Sequence, residues 1–147
     1  LASTAPSGPA SPISRRIIRF ATLTPAASPA QTAFCERIVL ACPPAVRGGF
    51  GAQIARLDLG AQVARLDVPT IVVTGTADRL LPPGHSRRLA AGLPNLVELV
   101  EVPGVGHMTP VEAPAVVTGL IRQLVDRYLP AKPGVPEPRP GGPKVVT

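Results

Sequence analysis

Two residues have the types and surroundings that acid–base chemistry needs. Asp78 closes the run Gly75-Thr76-Ala77-Asp78, and His107 follows Pro103-Gly104-Val105-Gly106. A carboxylate held against an imidazole holds the Nδ1–H proton in place. It also fixes the tautomer and stabilises the imidazolium formed during reaction. Nε2 is then free to take a proton from a nucleophile. Gly104 and Gly106 suit this arrangement, since a tight turn that presents a side chain needs permissive backbone. A lone Asp after a strand is more often a turn former or helix cap, and a lone His is more often structural. The weight therefore rests on the two occurring as a pair at matching places.

Those places are set by the elements around them. Thr70-Ile71-Val72-Val73-Thr74 is a short β-branched run that predicts a buried parallel strand. Pro82-Pro83-Gly84 punctuates the chain, and His85 to Gly92 predicts a helix with Leu89 facing inward. Pro94-Asn95 turns the chain into a second strand over Val97–Val102, and a final helix runs from about Pro114 to Leu129. In that helix Pro114 suits the first turn, and Val117, Leu120, Ile121, Leu124 and Tyr128 form an apolar face. Strand, helix, strand, helix with short joints is a parallel βαβα unit. Loops at the carboxyl ends of parallel strands share one edge of the sheet. Asp78 and His107 each lie just past a strand, so both should open onto that edge. An Asp78 oxygen is expected within about 2.6–3.2 Å of His107 Nδ1.

The rest of the chain is less patterned. Residues 1–30 are an Ala/Ser/Pro-rich segment, read as irregular apart from one short amphipathic helix over Ser14–Phe20. A basic helix of this kind can touch a membrane surface, but one so short is more often a solvated face. Residues 31–66 read as helical: Phe34, Ile38, Val39 and Cys42 recur at helical spacing until Pro43-Pro44, and a second helical region spans Val46–Leu66. That region holds a near-duplication, Gly51–Asp58 followed by Gly60–Asp67, too short for a solenoid and read as a slippage duplication. Residues 130–147, with six prolines and three glycines, are expected to be disordered.

Composition excludes several functions. The net charge of +6 would suggest nucleic acid, yet residues 67–129 carry five arginines against six acids, with no basic stripe and no aromatic interleaving. No run approaches the ~18 consecutive apolar residues of a membrane span. Cys35 and Cys42 are seven positions apart. On one helix that is about 10 Å along the axis at ~1.5 Å per residue, beyond the ~7 Å Cα limit of a disulfide. Two free, partly buried thiols fit a cytoplasmic protein, and with few histidines and no CxxC a metal site is not expected.

Together these residues resemble the α/β-hydrolase family. Val68-Pro-Thr-Ile-Val-Val-Thr-Gly-Thr-Ala-Asp78-Arg-Leu-Leu-Pro-Pro83 is similar to its acid-bearing strand and loop. Leu89-Ala-Ala-Gly-Leu-Pro-Asn95 and Val102-Pro-Gly-Val-Gly-His107-Met-Thr-Pro-Val-Glu112-Ala-Pro114 resemble its following helix and histidine loop. The resemblance covers residues 67–129. More weakly, residues 31–66 are similar to the helical cap such enzymes insert over the active site. It implies an α/β fold with parallel strands and an incomplete sheet, the C-terminal βαβα portion of an α/β-hydrolase behind a cap segment. By the same resemblance Asp78 matches the triad acid and His107 the triad base. Glu112 matches an acidic position common after the histidine, which implies a supporting hydrogen-bonding role.

One member of the triad is missing. The family's order is nucleophile, acid, histidine, with the nucleophile on a G-x-S-x-G elbow, and no such motif occurs in the 147 residues. Gly84-His85-Ser86-Arg87-Arg88 copies its first half, but Arg88 replaces the second glycine, and Ser86 falls after the acid on a predicted helix. His85 reads as a solvated residue near that helix start. The resemblance therefore implies a serine hydrolase acting on carboxylic esters, its nucleophile upstream, its apolar pocket supplied by Phe34, Phe50 and Ile54, and no metal or organic cofactor. An upstream Asp, as in epoxide hydrolysis or dehalogenation, would leave the same Asp–His remainder. So would an inactive truncated remnant or an interaction protein. The expected partner is a small-molecule ester, not nucleic acid. An unpaired strand edge would also invite self-association.

Overall fold

A computed structural model describes residues 11–129. The expected disorder of 130–147, and the first ten residues of the Ala/Ser/Pro-rich segment, lie outside the described residues. The helix expected over Ser14–Phe20 runs further at both ends, as α1 (Pro12–Thr22). Ser11 caps it: its hydroxyl accepts from Ser14 N at 3.0 Å, and the Ser14 hydroxyl accepts from Ser11 N at 2.9 Å. Pro12 occupies the first turn, where a missing N–H costs nothing. A second Ser-Pro start opens α2 (Pro29–Ala41), where Ser28 and Gln31 exchange the same pair of bonds.

These two helices pack against each other through a small core. Ile18, Leu23, Ala27 and Cys35 are buried, with Val39, Met108 and Val111 partly buried against them. Burying one side chain such as Ile18 stabilises by roughly 1.5–3 kcal/mol. The buried Glu36 carboxylate is satisfied across the same contact, accepting from Arg15 Nε at 2.8 Å and the Ser14 hydroxyl at 3.3 Å.

The helical region expected over Val46–Leu66 is broken into α3 (Pro44–Ile54) and α4 (Gly60–Val63). The break falls where Asp58 Oδ1 accepts from Gly60 N at 2.9 Å. A short side chain that bonds its own backbone two residues on competes with the helical ladder, and here it prevails.

β1 (Thr70–Gly75) and β2 (Leu96–Val102) pair in parallel, from Ile71 opposite Glu98 to Gly75 opposite Val102. Among the described residues the sheet has these two strands, so β1 pairs on one side only. α5 (Pro83–Gly92) crosses between them and forms a second core, in which Val72, Ala90 and Leu93 are buried against Val63 and Leu99. Leu89, expected to face inward, is 44% exposed, and Ala90 takes that place. After β2 come α6 (Thr109–Glu112) and α7 (Pro114–Tyr128). No α7 side chain is buried: Val117, Leu120 and Leu124 are half-covered, and Ile121 and Tyr128 are exposed. No described helix is long and apolar enough to cross a membrane.

Candidate active site

The register of the sheet ends both strands together, with Gly75 opposite Val102. The loops leaving them are stitched to each other by backbone. Thr76 N donates to Val102 O at 3.0 Å, Ala77 N to Val105 O at 2.9 Å, and Gly104 N to the Thr76 hydroxyl at 2.9 Å. Stitching this close demands glycine at the strand end: a Cβ on Gly75 would lie 2.1 Å from Val105 O and 2.5 Å from Gly106 O. Gly104 has φ +67 and supplies the left-handed turn. Gly106 has no positive φ. It is needed for room, since its Cβ would meet Glu112 Oε2 at 2.9 Å and Thr22 O at 3.2 Å.

At this edge the two expected side chains meet. His107 Nδ1 and Asp78 Oδ2 are 3.0 Å apart. An ionised carboxylate can only accept, so in such a contact Nδ1 is the donor. The other oxygen of Asp78 accepts from Leu80 N at 2.8 Å and Leu81 N at 2.9 Å, which orients the carboxylate independently of the histidine. The Asp78 side chain is 7% exposed and that of His107 32% exposed. The acid is thus buried behind a ring that an incoming group can still reach. Arg79 anchors the acid loop from outside, donating to Phe20 O at 3.0 Å with its guanidinium 4.7 Å from the Phe20 ring centroid.

Behind the histidine lies Glu112. Its Oε1 accepts from Thr24 N at 2.9 Å and from the Thr24 hydroxyl, while Oε2 accepts from Gly106 N at 2.9 Å. Two further bonds bind the same loop to the N-terminal helices: Met108 N donates to Thr22 O at 3.0 Å, and Gln31 Nε2 to Val111 O at 2.7 Å. Glu112 also acts on Cys35. Burial, and secondarily the nearby Glu112 charge, push that thiol above its ordinary range. Both cysteines are free.

Other candidates are left apart. Ser86 sits within α5, inside a regular helix. His85 is exposed, its Nδ1 2.9 Å from the Arg88 guanidinium. Phe34, Phe50 and Ile54, read as pocket residues, are 41%, 68% and 55% exposed. An open hollow of about 500 Å³ is lined instead by Pro12, Ile13, Arg16, Ile17 and Phe20, on the outer face of α1. Gly75, which opens the run leading to Asp78, contributes by leaving room for the His107 loop. One contributor, Thr24, is not singled out by the sequence, because its partner Glu112 is 88 positions away.

Residues 22–114 match the α/β hydrolase fold family, and the chain belongs to that family. Solved structures share its fold. A thermophilic esterase from Thermogutta terrifontis, solved with malate bound, is 22% identical, with a TM-score of 0.64 over 80% of this chain and 52% of its own. A hydrolase from Pseudomonas aeruginosa is 24% identical, with a TM-score of 0.67 over 77% of this chain and 43% of its own. An enol-lactonase from Burkholderia xenovorans is 18% identical, with a TM-score of 0.69 over 78% and 44%. The chain thus spans about half the length of these proteins. No curated protein matches it in sequence.

Proposed function

We propose that the chain supplies the acid and base of a serine hydrolase acting on carboxylic esters, with the nucleophile in sequence upstream of Leu1. The observation that carries this is the 3.0 Å contact of His107 Nδ1 with Asp78, beyond the carboxyl ends of paired parallel strands, with the ring open to solvent. In the reaction the upstream serine hydroxyl gives its proton to His107 Nε2 as its oxygen attacks the acyl carbonyl. The imidazolium, held by Asp78, then returns that proton to the leaving alcohol. Water repeats the cycle and releases the acid. Esters are favoured because two of the three similar structures described above are an esterase and an enol-lactonase. In this reading residues 31–66 form part of a cap over the substrate, and the two free thiols support a reducing, cytoplasmic setting. The unpaired edge of β1 supports self-association of the isolated chain, which size-exclusion chromatography over a range of concentrations reads directly.

Covalent trapping tests the main proposal. The product of the whole reading frame that encodes this chain is treated with a fluorophosphonate and digested. The label should fall on one serine before Leu1 and be lost in His107→Ala. A label within residues 1–147, or none, overturns the proposal.

A further inference from the structure

The hydrogen bonds behind His107 do not belong to the acid–base pair. We infer that Thr24 and Glu112 form a positioning pair that holds the His107 loop against the turn following α1, and so sets the angle at which the imidazole meets Asp78. The inference rests on the Asp78–His107 reading above. Glu112 has two oxygens and both are used: Oε1 takes the Thr24 N–H and hydroxyl, Oε2 takes the N–H of Gly106, the residue directly before His107. Thr24 is itself buried, 6% exposed and adjoining Leu23 in the core of α1 and α2. The carboxylate thus bridges two backbones 82 positions apart, Thr24 and Gly106, and a shift of either moves the ring. Neither residue touches a reacting atom, so both are positioning residues.

The residue types fit this role. Glutamine at 112 would present an acceptor on one side only, facing its amide N–H₂ toward either the Thr24 or the Gly106 donor. Valine at 24 keeps the shape of threonine and its backbone N–H but loses the hydroxyl bond, and serine restores that bond.

The test is imidazole ¹⁵N NMR of the ¹⁵N-labelled 147-residue chain, at a pH where histidine is neutral, with the His107 signals assigned by His107→Ala. In the parent chain the proton should reside on Nδ1. In Glu112→Gln and Thr24→Val the Nδ1–H tautomer should lose its majority. Exchange of that proton with solvent should quicken about tenfold, as for a lost bond to a charged acceptor. Thr24→Ser should restore both. Backbone amide signals of β1, β2 and α5 should stay in place, which separates repositioning from unfolding. Asp78→Asn serves as the reference. If it moves the His107 signals while the Thr24 and Glu112 variants do not, the positioning pair is overturned and the acid–base pair stands. If the parent chain shows no preference for Nδ1–H and Asp78→Asn changes nothing, the Asp78–His107 reading itself has failed.

Discussion

Around Glu112 one carboxylate takes three donors, and a core of Ile18, Leu23, Ala27 and Cys35 closes behind it. Around α7, by contrast, Ile121 and Val125 are 56% and 43% exposed, on a helix with no buried side chain, and Leu129 just past its end is 63% exposed. Both regions are rich in apolar residues, so hydrophobicity does not distinguish them. The difference lies in whether a facing surface exists among the described residues. The His107 loop rests on α1 and α2, which precede it by some 80 positions, whereas α7 meets mainly the short α6. The Asp78–His107 geometry is therefore supported from the N-terminal helices and the joined strand ends, and α7 contributes little to it.

That contrast breaks most visibly at Gly75. Gly75→Ala forces a Cβ to within 2.1 Å of the Val105 carbonyl. It should cost about 3 kcal/mol in urea unfolding and separate His107 from Asp78, seen as loss of the Nδ1–H preference. An alanine there that leaves both unchanged would mean the loops are not joined as described.

A matched pair of truncations sharpens the comparison. Ile18→Ala, at a site 7% exposed, should destabilise by about 2–4 kcal/mol. Ile121→Ala, at a site 56% exposed, should stay within about 0.5 kcal/mol. Equal losses would show that α7 is covered in solution, by a second copy of the chain or by another partner.

Alkaline pH gives a smaller effect of known sign. The Cys35 thiol is raised in the folded chain, by burial first and by Glu112 second. As pH climbs past about 8.5, the ordinary thiol value, the unfolded chain releases this proton before the folded one does. The unfolded state then binds fewer protons, so stability falls with rising pH. Cys35→Ala should flatten that fall. Alkylation should accordingly reach Cys42 well before Cys35, which is 1% exposed.

How much of this was legible in the sequence follows the range of each interaction. β1 and β2 were placed to within a residue, because β-branched runs between turn residues are a local signal. Asp78 and His107 were found through the same strand ends. Residues 11–30 were under-read. The Ser-Pro starts of α1 and α2 are short-range caps that the sequence reading passed over, while the packing around Leu23 and Thr24 involves Met108, Val111 and Glu112, and no local pattern announces a contact across 88 positions. Phe34, Phe50 and Ile54 share an apolar character, and nothing in their spacing says which way α2 and α3 face; all three are exposed.

The most direct measurement is hydrolysis of a short-chain activated ester by the product of the whole reading frame, with Asp78→Asn and His107→Ala compared against the parent. If the pair orients and carries the proton as proposed, each substitution lowers kcat by about 10³-fold or more, and the pH at which activity appears shifts in Asp78→Asn. Turnover within about tenfold of the parent in His107→Ala would contradict the account, since no imidazole-dependent step would then remain.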